Sequence, residues 1–428
     1  MEQTEDTIVA LSSGAPPAAI GVIRVSGPQA ALALEALGGS LPKPRRASVR
    51  VLRDAAGSVL DEALVLWLPG PDNATGEDCA ELHCHGGRAV IAAVETALLD
   101  VPGVRRAEPG EFTRRAFANG RMDLAQAEGL ADLLFAETEL QRQVLQAAAG
   151  GALSVQFEDW RSRLLGLAAQ VEAALDFDDE DDVGGLEGAF YAAVDALRDE
   201  IDGWLARPRV ERLRDGVRVV LAGPPNAGKS TLFNALVQSE AAITSPVAGT
   251  TRDVLERPVA LDGIPFTLID TAGLHESGED AIEAIGIDRA RAAVEQADIV
   301  LWLGPEGEGP TGAWEIEAIA DDPAHPAKCA PLARLSARTG EGVAALIEML
   351  VGSARMMLPK PGEAAVNTRQ HALLSDASEE LGGINPALDL LVLAERLRSA
   401  RVAFDRLIGR ATTEDMLDSL FGRFCIGK

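Results

Sequence analysis

The segment Gly223-Pro224-Pro225-Asn226-Ala227-Gly228-Lys229-Ser230 fits the pattern G-x-x-x-x-G-K-[ST]; it follows the apolar run Val217–Ala222 and opens an amphipathic stretch, Thr231-Leu232-Phe233-Asn234-Ala235-Leu236. A turn of that kind between a strand and a helix lets backbone N–H groups wrap a β-phosphate, with the positive end of the helix behind them. Asn226, Ala227, Gly228 and Thr231 belong to the wrap, Lys229 would reach the β- and γ-oxygens, and the Ser230 hydroxyl is a hard ligand for Mg²⁺. Downstream, Gly249-Thr250-Thr251-Arg252-Asp253 offers the Thr251 hydroxyl to the same ion, a bond that holds only while a γ-phosphate is present. Asp270-Thr271-Ala272-Gly273 ends the run Phe266–Ile269. Asp270 is then placed to act on Mg²⁺ through water, and the Gly273 N–H to sense the γ-phosphate. Together the three elements predict a nucleotide switch of the GTPase kind.

Two features set this switch apart. The residue after Gly273 is Leu274, which cannot orient an attacking water, so the water and the transition-state charge need other groups. Asn226 could supply a carbonyl oxygen to a monovalent cation where an arginine finger would otherwise sit. The second feature is the lack of an Asn-Lys-x-Asp guanine reader. The stretch compared with it is Ala327-Lys328-Cys329-Ala330, inside a Gly/Pro/Glu-rich region, 304–331, that reads as eroded. Leu335-Ser336-Ala337-Arg338 remains as a base-contacting loop, and guanine and adenine both stay open.

The elements that must position these groups follow from composition and periodicity. At 428 residues the chain is long enough for two to four domains. Its 47% hydrophobic content is that of packed globular domains. With 66 acidic against 39 basic side chains, the charge of −27 argues against bulk electrostatic binding of nucleic acid, though not against a local basic patch. Cys79, Cys84, Cys329 and Cys425 are too scattered for a disulfide framework. The acidic N-terminus lacks the regions of a signal peptide, and no apolar run is long enough to span a membrane, so a soluble cytoplasmic protein is expected.

Residues 1–119 read as an α+β domain, with strands at Thr7–Leu11, Ala19–Val25 and Ala63–Leu68 and a helix over Arg88–Leu99. Residues 120–214 read as all-α. Leu164, Leu167, Val171 and Leu175 share one helical face, as do Phe190, Val194, Leu197, Ile201 and Leu205, and the acidic run 176–182 between them reads as a solvated loop. Residues 215–355 alternate strand and helix, with buried strands at Val217–Ala222, Phe266–Ile269 and Asp298–Leu303, as a P-loop α/β domain does. Residues 356–428 are helical again, carry the stripe Leu393, Leu397, Ala400, Phe404 and Leu407, and are expected to pack on the helices of 120–210. The fold class is therefore multidomain α+β, with the α/β unit inserted into a helical domain.

The terminal Phe424-Cys425-Ile426-Gly427-Lys428 resembles the Cys-Ile-Gly-Lys tail of the MnmE (TrmE) family of tRNA-modification GTPases. Thr75-Gly76-Glu77-Asp78 and Glu81-Leu82-His83-Cys84-His85-Gly86-Gly87 resemble the family's N-terminal motif, while 109–117 and 119–128 resemble its domain junction. The resemblance runs from Thr7 to Lys428. It implies a folate-binding-like N-terminal domain that also dimerises, and a K⁺-stimulated GTP hydrolase that also needs Mg²⁺. It implies a homodimer working with the FAD protein MnmG (GidA) in a heterotetramer. Together they would build a (carboxymethyl)aminomethyl group on C5 of the wobble uridine of tRNA, from 5,10-methylenetetrahydrofolate or 5-formyltetrahydrofolate. By motif match Arg24, Glu81, Arg121 and Lys428 would line the folate site, with Cys425 beside it as a candidate catalytic thiol. A buried structural role is the other reading of Cys425. Asn226, Ser245, Val247 and Thr250 would hold K⁺, with Ser245 where the family usually has Thr. Glu283 would position the water that Leu274 cannot. The alternatives from other classes are a non-catalytic switch of the ribosome-assembly type and a P-loop ATPase.

Overall fold

The computed structural model describes residues 6–176, 186, 188–239, 255–270, 291–323, 325–411 and 413–428. Two compact units result, Met1–Ala131 with Phe404–Lys428, and Asp132–Ala403.

The first unit is built on a six-stranded sheet in the order β3-β4-β5-β2-β1-β6. Its strands are β1 (Thr7–Leu11), β2 (Ile20–Ser26), β3 (Ser48–Arg53), β4 (Val59–Leu68), β5 (Cys79–His85) and β6 (Val104–Arg106). Side chains alternate across a strand, and in β2 and β5 that alternation divides the chemistry. Ile23, Val25, Leu82 and Cys84 join Leu34 and Leu37 of α1 (Ala30–Gly38) and Ile91, Val94 and Leu98 of α2 (Arg88–Leu99) in one core. Burying each such aliphatic side chain contributes about 2 kcal/mol. The opposite face carries Arg24 and Glu81, which are register partners. Helix α2 keeps the bounds its 91/94/98 spacing predicts and stops before Pro102. The sequence reading overlooks β3, because Arg50 and Arg53 break its apolar alternation, as suits an edge strand.

The C-terminal segment is tied into this unit. Phe421 and Phe424 cluster with Leu124, Ala127, Leu417 and Leu420. At Gly110, in the left-handed region at φ 68°, an added Cβ would lie 2.2 Å from the Phe421 carbonyl oxygen, so only glycine fits. Ile426 bridges Pro109, and a Cβ on Gly427 would fall 2.1 Å from Leu11 O, which seats the tail against the end of β1.

In the second unit β7 (Val217–Ala222), β8 (Leu255–Leu261), β9 (Ile264–Asp270), β10 (Ile299–Trp302), β11 (Trp314–Glu317) and β12 (Ala333–Arg334) form a sheet in the order β12-β11-β10-β7-β9-β8. All neighbours are parallel except β8 and β9. One core joins Val219, Leu221 and Leu301 of the sheet to Leu232 and Leu236 of the helix Lys229–Gln238 and to Leu346 and Leu350 of the helix Val343–Met357. The region read as eroded is therefore not featureless, since it holds β11. Glutamates at 315 and 317 hide that strand from an apolar count, and Glu317 is buried against Lys328 and Arg334.

The helical stripes are buried at Leu164, Leu167 and Val171 on Ala152–Asp176 and at Phe190, Val194, Leu197 and Ile201 on Gly188–Leu205, while Leu175 and Leu205 at the helix ends are half-buried. The helix Thr368–Gly382 packs on Gly188–Leu205, while residues from Phe404 onward belong with the first unit. Most of the acidic run, 177–182, lies outside the described residues.

Candidate functional site

Strand β7 delivers the chain into the phosphate turn, and the turn's backbone is specialised for that task. Asn226 stands at φ 64° and Gly228 at φ 90°, and an added Cβ on Gly223 (φ 148°) would press on the Gly304 N–H nitrogen at 3.0 Å. Left-handed residues at these points turn successive amides inward, the geometry that cradles anions. Lys229 is 4% exposed, and its Nζ donates to Gly223 O at 2.9 Å and Pro224 O at 2.8 Å, folded onto the wall it would leave for a phosphate. Burial holds its ammonium below the usual lysine range, and the Asp270 charge only partly offsets this. Ser230 Oγ donates to Asp270 Oδ2 at 2.8 Å, because parallel pairing sets Leu221 beside Asp270 and brings the end of β9 to the start of the helix. Two hard oxygen donors side by side fit Mg²⁺.

A cavity of about 840 Å³ runs from this turn to a second loop cluster, lined by Asn226, Lys229 and Ser230 at one end and by Ile319, Asp321 and Arg338 at the other. Sequence reading compares 327–330 with the missing Asn-Lys-x-Asp element, and in the structure this stretch does not line the cavity. Lys328 is 8% exposed and donates from Nζ to Trp302 O at 2.9 Å and to Glu315 at 2.6 Å, a structural ion pair. The loop that follows β11 is Ala318-Ile319-Ala320-Asp321, and it is this loop that meets Ser336-Ala337-Arg338. Ile319 bridges Ser336, and Ala337 N donates to Ala318 O at 3.1 Å. Ser336 Oγ donates to Asp321 Oδ1 and Arg338 Nη2 pairs with Oδ2, each at 2.7 Å. The Ser336 hydrogen bond, helped by the Arg338 charge, holds the Asp321 carboxyl below the usual aspartate range. Asp321 is the functional candidate that sequence reading missed. Its available signal was position, one strand end fifteen residues before Ser336, with the flanking Asn and Lys replaced by Ala318 and Ile319.

The other members of the predicted set, Ser245, Val247, Thr250, Thr251, Thr271, Ala272, Gly273, Leu274 and Glu283, lie outside the described residues. Ala227 is buried and Thr231 exposed at the head of the helix.

In the first unit Arg24 donates from Nε and Nη2 to Glu81 Oε1 at 3.1 and 2.9 Å, and its guanidinium lies 5.7 Å from the Phe112 ring centre. His83 Nε2 is 3.3 Å from the other Glu81 oxygen. Register sets Ala10, Arg24 and Glu81 in one row, next to the Leu11 carbonyl that Gly427 approaches. Arg121 Nη1 lies 3.4 Å from Asp72, and its stem lies against Gly76. Lys428 and Cys425 are exposed, which removes the buried reading of Cys425. Cys79 and Cys84 are buried, and burial pushes both thiols up to about 12, so neither is a thiolate nucleophile. Thr75 and Glu77 do structural work: Ser26 Oγ lies 2.7 Å from Thr75 Oγ1 and donates to Glu77 at 2.8 Å, and Glu77 also accepts from Arg115 Nη1 at 2.9 Å.

Two family models match the chain. The model of the GTP-binding protein TrmE N-terminus matches residues 7–121, and that of the MnmE helical domain matches 124–425. A tRNA modification GTPase MnmE from Erythrobacter litoralis (strain HTCC2594) is 73% identical over 423 residues, which is 99% of this chain and 100% of that one. The protein of the same name from Novosphingobium aromaticivorans is 61% identical over 435 residues, again 99% of this chain and 100% of the relative. One from Zymomonas mobilis subsp. mobilis is 50% identical at the same coverages. Identity at this level along the whole length, with a P-loop α/β sheet set between helical segments, makes the chain a member of the MnmE family.

Proposed function

We propose that the chain is a GTP hydrolase that takes part in modifying the wobble uridine of tRNA. The observation that carries this reading is the cavity with the phosphate turn at one end and Asp321 at the other. A carboxylate only accepts hydrogen bonds, so Asp321 complements the paired N–H donors of guanine. It opposes adenine, which turns a ring-nitrogen acceptor toward the same point. That observation favours GTP over the ATPase alternative. Four lone-pair positions on the carboxylate let Ser336 stay bonded while Arg338 swings aside for the base.

At the phosphate end, Lys229 would exchange the Gly223 and Pro224 carbonyls for β- and γ-oxygens, and the helix N-terminus would hold the β-phosphate. Ser230 and Thr251 would hold Mg²⁺, with Asp270 acting through water; the ion supplies charge neutralisation at the transferring phosphoryl group. Asn226, Ser245, Val247 and Thr250 would hold K⁺, and Glu283 would orient the attacking water. In the N-terminal domain Glu81 would accept the paired N–H donors of a reduced folate, with Arg24, Arg121 and Lys428 for its carboxylates and Cys425 as a thiol beside it. We place domain limits at 119, 214 and 355, a homodimer closing through its GTPase domains, and action with the FAD protein MnmG in the cytoplasm. Among the described residues no helix is long and apolar enough to cross a membrane.

Side-by-side titration with GTP and ATP tests the base, and wobble-uridine analysis of tRNA from cells lacking their own homologue tests the reaction. Tighter binding of GTP and restored modification are expected. Equal affinities, or GTP hydrolysis with no restored modification, would return the reading to an ATPase or to a ribosome-assembly switch.

A further inference from the structure

We infer that the turn Lys43–Arg46 and the edge strand β3 form a docking surface for the phosphate backbone of an RNA, the tRNA of the reading above, on which this inference rests. Lys43, Arg45, Arg46, Arg50 and Arg53 fall within eleven residues, and no acidic residue occurs between Glu35 and Asp54 in a chain whose charge is −27. Elsewhere in this unit arginines meet carboxylates: Arg105 with Asp6 and Glu111, Arg114 with Asp418, Arg121 with Asp72. None of the five takes part in an ion pair among the described residues. The nearest acids are committed or offset. Asp54 accepts from the Ala56 and Ser58 amides, Asp61 from His85, and Glu62 stands opposite Val51.

The cations are also held in place. Arg46 N donates to Lys43 O at 3.2 Å, closing a turn with Pro44 at its second position, and Arg45 N donates to Trp67 O at 2.8 Å, which pins the turn to the end of β4. Arg45 itself sits at φ 59°, a left-handed conformation that costs a residue with a Cβ about 1 kcal/mol. Arg53 Nη1 donates to Gly57 O at 2.9 Å, and the half-buried Arg50 stem lies beside Gly38 of α1. Lys43, Arg45, Arg46 and Arg53 are exposed. Arg50 lies half-buried on the α1 side of β3, so the surface is the turn cations together with the exposed Arg53 at the far end of a strand about 20 Å long at the usual rise. A surface of this kind gives affinity without sequence readout, and its signature is salt dependence. It also explains how so acidic a chain holds a polyanion.

Charged edges also protect sheets from pairing with one another, and the test separates that role from this one. Full-length protein is titrated with a fluorescent unmodified tRNA transcript from about 50 to 200 mM KCl. The variant carries Lys43→Gln, Arg45→Gln, Arg46→Gln and Arg53→Gln; its companion carries Glu at all four, which keeps the edge charged. Wild type is expected to bind with a steep salt slope. The Gln variant should lose at least about tenfold at low salt and roughly three units of slope, and the Glu variant should lose more. GTP hydrolysis should be unchanged in both, and thermal melts matching wild type report intact folding of the N-terminal unit. Wild-type affinity in the Gln or Glu variant, or no salt-dependent binding by wild type, overturns the surface and leaves an acidic protein partner or edge protection as its role. The functional reading fails separately, if wild type binds tRNA through this patch yet leaves the wobble uridine of the complemented cells unmodified.

Discussion

Ser336 Oγ donates to Asp321 Oδ1 at 2.7 Å, a side-chain bond between the loop after β11 and the loop after β12 at the far end of the nucleotide cavity. It fixes the carboxylate's orientation while leaving lone pairs for a base.

Replacing Asp321 by Ala removes both acceptors for guanine. GTP affinity should fall about 100-fold and the preference over ATP should vanish, as two hydrogen bonds to a charged group would demand. Asp321→Asn turns a donor toward the purine C2 substituent, so xanthosine triphosphate should then bind better than GTP. Competition titrations with the three nucleotides check this, and undiminished GTP preference in Asp321→Ala would move base reading to another residue.

Lys229 has its ammonium held below the usual lysine range by burial in the phosphate turn. A triphosphate should raise it again, so binding takes up protons at pH between the lowered value and the restored one. Calorimetry in two buffers of different ionisation enthalpy measures the uptake, and Lys229→Ala should abolish it together with turnover.

Hydrolysis should be much faster in KCl than in NaCl, and Glu283→Ala should lose turnover while GTP binding survives. Equal rates in the two salts would dismiss the cation role of Asn226. Retained turnover in Glu283→Ala would pass the water to another group.

In the N-terminal sheet the Arg115 side chain is 5% exposed and bonded to Glu77 and Asp6. Glu77→Leu removes one of the two carboxylates and an acceptor of the Ser26 hydroxyl, and should destabilise the unit by about 2 kcal/mol, read as a drop in its melting temperature. Nucleotide affinity should be unaltered.

The same region sets an acid limit. Burial pushes the Glu111 carboxyl up, but hydrogen bonds from Arg105 and the Glu108 amide, with the Arg105 and Arg115 charges, outweigh it and hold the group below 4.5. Its contribution to stability is therefore complete above about pH 4.5 and is lost as pH falls through the lowered value. Thermal melts across that range should show the loss, and Glu111→Gln should flatten it.

How much of this was legible beforehand depended on how local the physics is. Periodicity fixes Arg88–Leu99, Val217–Ala222 and the stripes on Ala152–Asp176 and Gly188–Leu205, because a helix or strand face is set by residues a few positions apart. The phosphate turn was equally legible, since the left-handed conformations at Asn226 and Gly228 and the helix that follows are contiguous in the chain. The tail motif, by contrast, told the family and nothing of its seat beside Leu11.

What the sequence alone determined, then, is the family's layout and the phosphate chemistry. Only the tertiary structure showed that Asp321 and not 327–330 lines the cavity beside the phosphate turn, that Arg24 and Glu81 pair across two strands, and that the cations of Lys43–Arg53 have no carboxylate partner among the described residues. Each of these depends on which carboxylate comes within a few ångströms of which cation or hydroxyl. Strand register and loop packing bring such groups together from 15 to 57 residues apart, and no spacing along the chain encodes that distance.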